Sequence, residues 1–272
     1  MAKKPKPDRA TSKTVRNAIE LLGLFTRAEP VLTVPELTRR LKIPRTNVVR
    51  LVATLEKHGL VERHPSGSGY QVGMRAFEIG TLYLAGNPMW TILVRALDRL
   101  VEQTQCTAYL AILDRDDVLI LTYREGTLPV RFVWQVGDRL PCTTTALGKA
   151  ILSHLPDDDI DAVVAKDKPL RTLTGKSLRR RAQLDSDLAL ARKRGWALAR
   201  EESHAGLTAV GAAVLDHDMR PTAAISVSYL DHPPDPKRLE NYGSIVSAAA
   251  RDVSKQIAGY GHYGATLART AR

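Results

Sequence analysis

The chain has 272 residues, 44% of them apolar, with a formal net charge of +11; that length suits two domains, each large enough to bury a core. Its 2 cysteines, Cys106 and Cys142, are too few for a disulfide framework or a four-cysteine zinc site, and no apolar run reaches the ~18 residues of a membrane span. The basic stretch Met1–Pro7 lacks the apolar segment of a secretory signal, so the expected setting is the cytoplasm, with no membrane partner.

The charge is unevenly placed. Residues 1–75 hold 15 Lys or Arg against 6 Asp or Glu, and residues 76–272 hold 25 against 23. This fits a basic module that gains by displacing counterions from phosphates, joined to an ordinary globular domain. After a tail over 1–12 that is expected to be disordered, Thr14–Arg27 places Val15, Ala18, Ile19, Leu22 and Phe25 at helical spacing. Thr33, Pro35 and Glu36 then form a helix-start signal, with a second helix ending near Leu41. The break Lys42-Ile43-Pro44 leads into a third helix, from Arg45 to His58, closed by Gly59 in a left-handed conformation.

In that third helix Val48, Leu51, Val52 and Leu55 lie at i, i+3, i+4 and i+7 and so pack inward, leaving Arg45, Thr46, Asn47 and Arg50 outside. Arg pairs bidentately with guanine, Asn with adenine, and Thr contacts phosphate or a thymine methyl. The first turn of such a helix is the part that enters the major groove of double-stranded DNA. Leu60–Val72 reads as two short strands around Pro65-Ser-Gly-Ser-Gly69, a wing whose His64 and Ser66 are candidates for phosphate or minor-groove contact. Residues 13–74 are thus a winged helix-turn-helix. Over 75–92 a linker helix carries Phe77, Tyr83 and Leu84, with Ile79 and Leu82; packing on a second copy would fix the spacing of two DNA heads, and packing on its own domain is the alternative.

The remainder, 93–260, is expected to be an α+β domain, followed by a flexible tail over 261–272. Cys106–Leu113 and Val118–Tyr123 flank a turn, as do Leu207–Leu215 and Ala223–Leu230, giving two hairpins. Helices near 93–105, 144–155, 177–194 and 237–258 would cover the sheet. Cys142, Thr143, Thr144 and Thr145 place hydroxyls at a helix start, which suits either a ligand carboxylate or simple capping. Ser226 and Ser228 sit two apart on a strand and share a face.

Pro44–Arg63 with Tyr70–Gly73, then Val136–Ala150, Gly195–Leu207 and Pro221–Ser228, in that order, resemble the isocitrate lyase regulator (IclR) family of bacterial transcription factors. The resemblance implies a GAF-like α/β effector-binding domain, a dimer or tetramer on operator DNA, and a pocket lined by Ala146, Leu147, Leu207, Ser226 and Ser228. Where family members that sense small ketoacids carry an acidic residue and a cysteine, this chain has Ala199 and Ala209. With Phe132 and Trp134 nearby, that departure favours a larger organic acid, an aromatic one among them, over glyoxylate or pyruvate. Trp134 is equally compatible with core or interface, and Arg200 with a surface charge or a carboxylate anchor.

Two other classes of function find partial support in the sequence. An enzyme would use Cys142 with His154 or His204, or the pair Glu201-Glu202, yet adjacent residues on a strand point to opposite faces. The histidines His154, His204, His217 and His232 match no metal-ligand spacing, so neither metal nor cofactor is expected. A ligand-free architectural protein would use Arg179-Arg-Arg181 as a second basic patch, a run that otherwise reads as the solvated face of a helix.

Overall fold

A computed structural model describes residues 12–87, 89–128, 134–231 and 233–258. The tails expected at 1–12 and 261–272 lie outside these residues except for Ser12, as do Phe132, His232 and the Leu84 side chain. The chain divides into two compact units, Met1–Gly86 and Asn87–Arg272.

The first unit contains α1 (Lys13–Leu22), α2 (Val34–Leu41), α3 (Arg45–Lys57), β1 (Val61–Arg63), β2 (Tyr70–Val72) and α4 (Met74–Ala85). Its core is built from Leu21, Leu32, Leu37, Val48, Val52, Leu55 and Val61. The capping box is present: the Thr33 hydroxyl accepts from the Glu36 amide, and the Glu36 carboxylate accepts from the Thr33 amide at 2.7 Å. The same carboxylate also accepts from the Thr33 hydroxyl at 2.7 Å, and its bonds from the Thr33 amide and hydroxyl hold the Glu36 carboxyl below its usual range. Gly59 has the expected positive φ of 72°, and β1 and β2 pair antiparallel to form the wing.

Helix α1 corrects the apolar face expected for it. Val15 and Ile19 are exposed, and the helix instead buries Leu21, with Ala18 and Leu22 packed beside it. It also stops at Leu22 rather than running to Arg27, because Thr26 and Glu29 exchange backbone hydrogen bonds in a turn. The span 75–92 is not one helix. Helix α4 ends at Ala85, and a new helix starts at Trp90 in the second unit.

The second unit holds α5 (Trp90–Thr104), β3 (Thr107–Asp114), β4 (Asp117–Arg124), β5 (Arg139–Pro141), a 3-10 turn (Cys142–Thr144), α6 (Ala146–Leu152), α7 (Asp157–Val163), α8 (Arg181–Arg194), β6 (Ala197–Arg200), β7 (Leu207–Leu215), β8 (Pro221–Leu230) and α9 (Pro236–Ile257). The strands form one antiparallel sheet in the order β5-β4-β3-β8-β7-β6. Even-numbered residues of β3 and β7 (Ala108, Leu110, Val210, Ala212) and odd-numbered residues of β8 (Ile225, Val227) pack with α5 and α9. The opposite set, including Tyr109, Ala111, Ala213 and Ala224, packs with α6 and α8. With helices on both faces, β8 is buried from Pro221 to Tyr229 without alternation.

Two boundaries differ from the sequence reading for local reasons. Helix α6 begins at Ala146, since the Thr145 hydroxyl takes the Gly148 amide as a cap and residues 142–144 form the 3-10 turn. Helix α8 begins at Arg181, because the Ser177 hydroxyl is used to accept from the Leu173 and Thr174 amides and to donate to the Glu202 carbonyl. The short elements β5, β6 and α7, of 3, 4 and 7 residues, are too brief for periodicity to reveal.

Candidate DNA-reading helix and effector cavity

On α3 the residues Val48, Leu51, Val52 and Leu55 are buried, whereas Arg45, Thr46, Asn47, Val49 and Arg50 are exposed. The helix carries its own division of labour: one apolar stripe fixes it to α2 and β1, and the turn opposite is free for another molecule. Pro44 supplies no side-chain cap, which leaves the helix start with the partial positive charge that attracts anions. On the wing, the His64 ring Nδ1 lies 2.7 Å from the Ser66 hydroxyl, and the Ser66 hydroxyl lies 3.3 Å from that of Ser68. His64 and Ser66 thus brace the turn between β1 and β2.

In the second unit a cavity of about 20 Å³ is lined by Tyr109, Trp134, Leu140, Thr145, Ala146, Leu147, Ser203, Ala209, Ser226 and Ser228. Strand register explains its floor. Tyr109, Ser226 and Gly211 form one row across β3, β8 and β7, and Thr107, Ser228, Ala209 and Ala199 form the next across β3, β8, β7 and β6. All face α6. Gly211 permits the close approach of that helix: a Cβ there would stand 2.9 Å from the Ala146 carbonyl carbon.

The cavity's polar groups are few and deeply set. Ser226 and Ser228 are 1% and 3% exposed; both line the cavity, and neither hydroxyl makes a hydrogen bond to the described residues. Burying a hydroxyl without a partner costs free energy, so both are poised for one. The Tyr109 hydroxyl accepts the Trp134 amide at 3.3 Å, and burial pushes its pKa up to about 12. The phenol therefore keeps its proton and is a donor at neutral pH.

Of the residues expected at the effector site, the structure brings together Trp134, Ala146, Leu147, Ser226 and Ser228. Leu207 is buried on the same face of β7 as Ala209 but does not line the cavity. Cys142 and Thr143 stand on a different cleft, across the 3-10 turn. Thr145, a ligand candidate at the helix start, and Ala209, expected to widen the pocket, also line it, whereas Tyr109, Leu140 and Ser203 were not among the expected lining; the alternation Tyr109–Ala111, opposite in register to Ser226, is the signal available for Tyr109.

A buried ion cluster supports this site from below, and nothing in the sequence reading pointed to it. The Lys149 side chain on α6 is 1% exposed, and its Nζ donates to Asp187 Oδ2 at 2.7 Å, Glu202 Oε1 at 2.7 Å and the Leu198 carbonyl at 3.0 Å. Burial raises the Glu202 pKa, and the Lys149 charge offsets part of that rise. Glu202 precedes Ser203, and its carbonyl accepts from the Ser177 hydroxyl at 2.6 Å. Lys149 therefore ties the Ser203 loop to the helix that carries Ala146 and Leu147.

The enzymatic arrangement does not assemble. Burial pushes the Cys142 thiol up to about 12, far from the thiolate a nucleophile needs. The His154 ring is bonded to the Ser153 hydroxyl and the Ala150 carbonyl. Glu201 and Glu202 lie beyond the end of β6, with Glu201 at φ 56°, so the strand-alternation argument does not apply to them; the engagement of Glu202 with Lys149 does. Among the described residues no group of three His, Cys, Asp or Glu is placed to hold a metal ion. Arg181 is no solvated basic patch, for its guanidinium reaches Asp161 at 2.9 Å and Asp185 at 2.7 Å. Arg200 faces the buried Asp231 at 3.4 Å rather than the cavity.

Two family models match the chain: the IclR helix-turn-helix domain over residues 14–65, and the bacterial transcriptional regulator IclR C-terminal domain over residues 81–255. The chain belongs to the IclR family of transcriptional regulators. It is 28% identical to the HTH-type transcriptional regulator XynR of Escherichia coli, across 90% of this chain and 97% of that one. It is 30% identical to BhcR of Paracoccus denitrificans, an HTH-type transcriptional regulator, across 89% and 86%. Its fold is shared with an IclR homolog from Microbacterium hydrocarbonoxydans solved in complex with 4-hydroxybenzoate, with a TM-score of 0.77 at 21% identity across 90% and 99%. Among the described residues no helix is long and apolar enough to cross a membrane.

Proposed function

We propose that this regulator binds a pseudo-palindromic operator in the cytoplasm as a dimer or tetramer, and that a small organic acid of the aromatic class alters that binding from the cavity beneath α6. The observation that carries the DNA half is the exposed first turn of α3, with Arg45, Thr46, Asn47 and Arg50 opposite a fully buried stripe. Arg45 and Arg50 suit base edges or phosphate, Asn47 suits adenine, and His64 and Ser66 place the wing beside the backbone.

The effector half rests on three donors around one cavity. The Tyr109 phenol and the Ser226 and Ser228 hydroxyls are suited to receive a carboxylate, while Trp134, Leu140 and Leu147 supply apolar walls. Ala209, paired with Ser228, lines the floor with a methyl where a larger side chain would close it, and Ala199 stands next to it on β6. The 4-hydroxybenzoate bound by the Microbacterium protein is an acid of this class. At about 20 Å³ the cavity has room for a single water, so an aromatic acid enters only as Leu147 or Trp134 moves. That requirement gives the ligand a different affinity for two states of the domain, which is what regulation demands.

Helix α4 supports assembly with a second copy. Phe77 and Leu82 are 69% and 67% exposed, and Met74, Ile79 and Tyr83 are also uncovered. Five large apolar side chains on a 12-residue helix form a patch that a second protomer would cover.

The test uses an operator fragment selected from genomic DNA and follows its affinity with and without 4-hydroxybenzoate. Ser226→Ala and Leu147→Trp should lose the ligand response and keep DNA binding. A response intact in both places the ligand elsewhere, and failure to enrich any sequence rejects operator reading.

A further inference from the structure

Cys142 and Thr143 lie on the wall of a second, larger cleft of about 520 Å³. Its size falls within the range of small-molecule sites, roughly 300–1,000 Å³. Val163, Val164, Pro169 and Leu170 supply apolar surface, and Cys142, 1% exposed, forms part of the buried wall. Three cations, Arg115, Lys168 and Arg171, line it against one carboxylate, Asp116. Arg171 is held at 2.7 Å from Asp117 and 3.3 Å from Asp116. Arg115 and Lys168 have no ion-pair partner among the described residues. Arg115 sits at φ 61° in the β3–β4 turn, a conformation that costs energy for a side chain of its kind.

A further group points to a ligand. Thr143 is 5% exposed, and its hydroxyl has no hydrogen-bond partner among the described residues, although those of Thr144 and Thr145, which follow it, are bonded. An unpartnered hydroxyl in a buried wall, with unpaired cations beside it, matches a bound carboxylate better than it matches bulk water alone.

The cleft and the effector cavity share one wall. Leu140, Thr145, Ala146 and Leu147 line the cavity, and Pro141, Cys142 and Thr143, from the same stretch of chain, line the cleft. That wall has no slack. A Cβ on Gly148 would stand 2.1 Å from the Cys142 carbonyl oxygen.

We propose that this cleft is a second small-molecule site, separate from the effector cavity, that takes an organic acid with an apolar body. Its carboxylate is received by Arg115, Lys168 and the Thr143 hydroxyl. Because the wall is shared, occupancy on one side changes the affinity of the other, in equal measure in both directions.

The experiment titrates 4-fluorobenzoate into the full chain by fluorine NMR, first in an Ala209→Trp background that fills the effector cavity. Ala209→Leu is a gentler block if the tryptophan disturbs the sheet, with circular dichroism as the check on folding. Saturable binding, one molecule per chain, should persist in the blocked protein. Adding Arg115→Ala and Lys168→Ala, both at exposed positions, should weaken it on the order of tenfold or more, and Thr143→Val should weaken it by a smaller factor. Absence of saturable binding in both blocked backgrounds, or binding that the charge removal leaves unchanged, overturns the proposal.

Discussion

In the first unit the polar side chains that matter, Arg45, Asn47 and Arg50, stand exposed over a core of Leu37, Val48 and Leu55; in the second, Lys149, Ser226 and Ser228 lie buried between a sheet and a helix. A DNA-reading surface is made for a partner that brings its own charge, so its groups stay solvated until contact. An effector cavity must exclude water to hold a small acid, so its groups are desolvated in advance and the fold carries the cost. Substitutions should therefore act on binding in the first unit and on stability as well as binding in the second.

The largest expected effect is at Lys149. Replacing it with Met strands the Glu202 carboxylate, which is 8% exposed as a side chain, and should destabilise the protein by about 3–5 kcal/mol. Denaturant titration measures this, and a second change, Glu202→Gln, should restore part of the loss. If Lys149→Met is neutral, the cluster is not what holds the Ser203 loop. Next comes Arg50→Ala, expected to weaken operator binding by about 1–3 kcal/mol and to relax the base preference, with the melting temperature unchanged. Footprinting that shows an unaltered preference would confine Arg50 to the phosphates. Thr33→Ala removes the α2 cap and should cost about 1 kcal/mol of stability, read as a lower melting temperature.

The smallest effect is a slope. Because burial raises the Glu202 pKa above its ordinary 4.5, the native state keeps a proton that the unfolded state releases. This group thus favours folding fully below the ordinary value, and the contribution fades as pH rises through the raised one. In Glu202→Gln that fading is absent, so stability measured from pH 4 upward should rise more steeply, or fall less, than in the parent chain.

The same contrast explains what was legible in the sequence. Helix α3 was readable because one 3.6-residue period sorts Val48, Leu51, Val52 and Leu55 from Arg45, Asn47 and Arg50, and the α2 start because Thr33, Pro35 and Glu36 sit together. Both signals lie within a few residues. On α1 two apolar stripes coexist, and periodicity alone did not tell the buried Leu21 from the exposed Val15 and Ile19. The cavity depends on register. Ser226 and Ser228 share a face by alternation, but their juxtaposition with Tyr109 and Ala209 follows from pairings between β3, β8 and β7 that are distant in sequence. The link from Lys149 to Glu202 spans 53 residues, and a lysine on an amphipathic helix ordinarily signals solvent. Cys142 and Thr143 were close in sequence to Ala146 and yet face a different cleft, since a 3-10 turn rotates them away from α6.

The crowding at Gly148 and Gly211 also bears on how such a regulator changes its diet. With backbone of the 3-10 turn against the first glycine and of α6 against the second, the framework around the cavity tolerates almost no added atoms. The side chains of Leu147, Ala199 and Ala209 hang from that framework without holding it up. Selection for a new ligand, in nature or in a biosensor library, should accept replacements at those three positions and reject them at the two glycines.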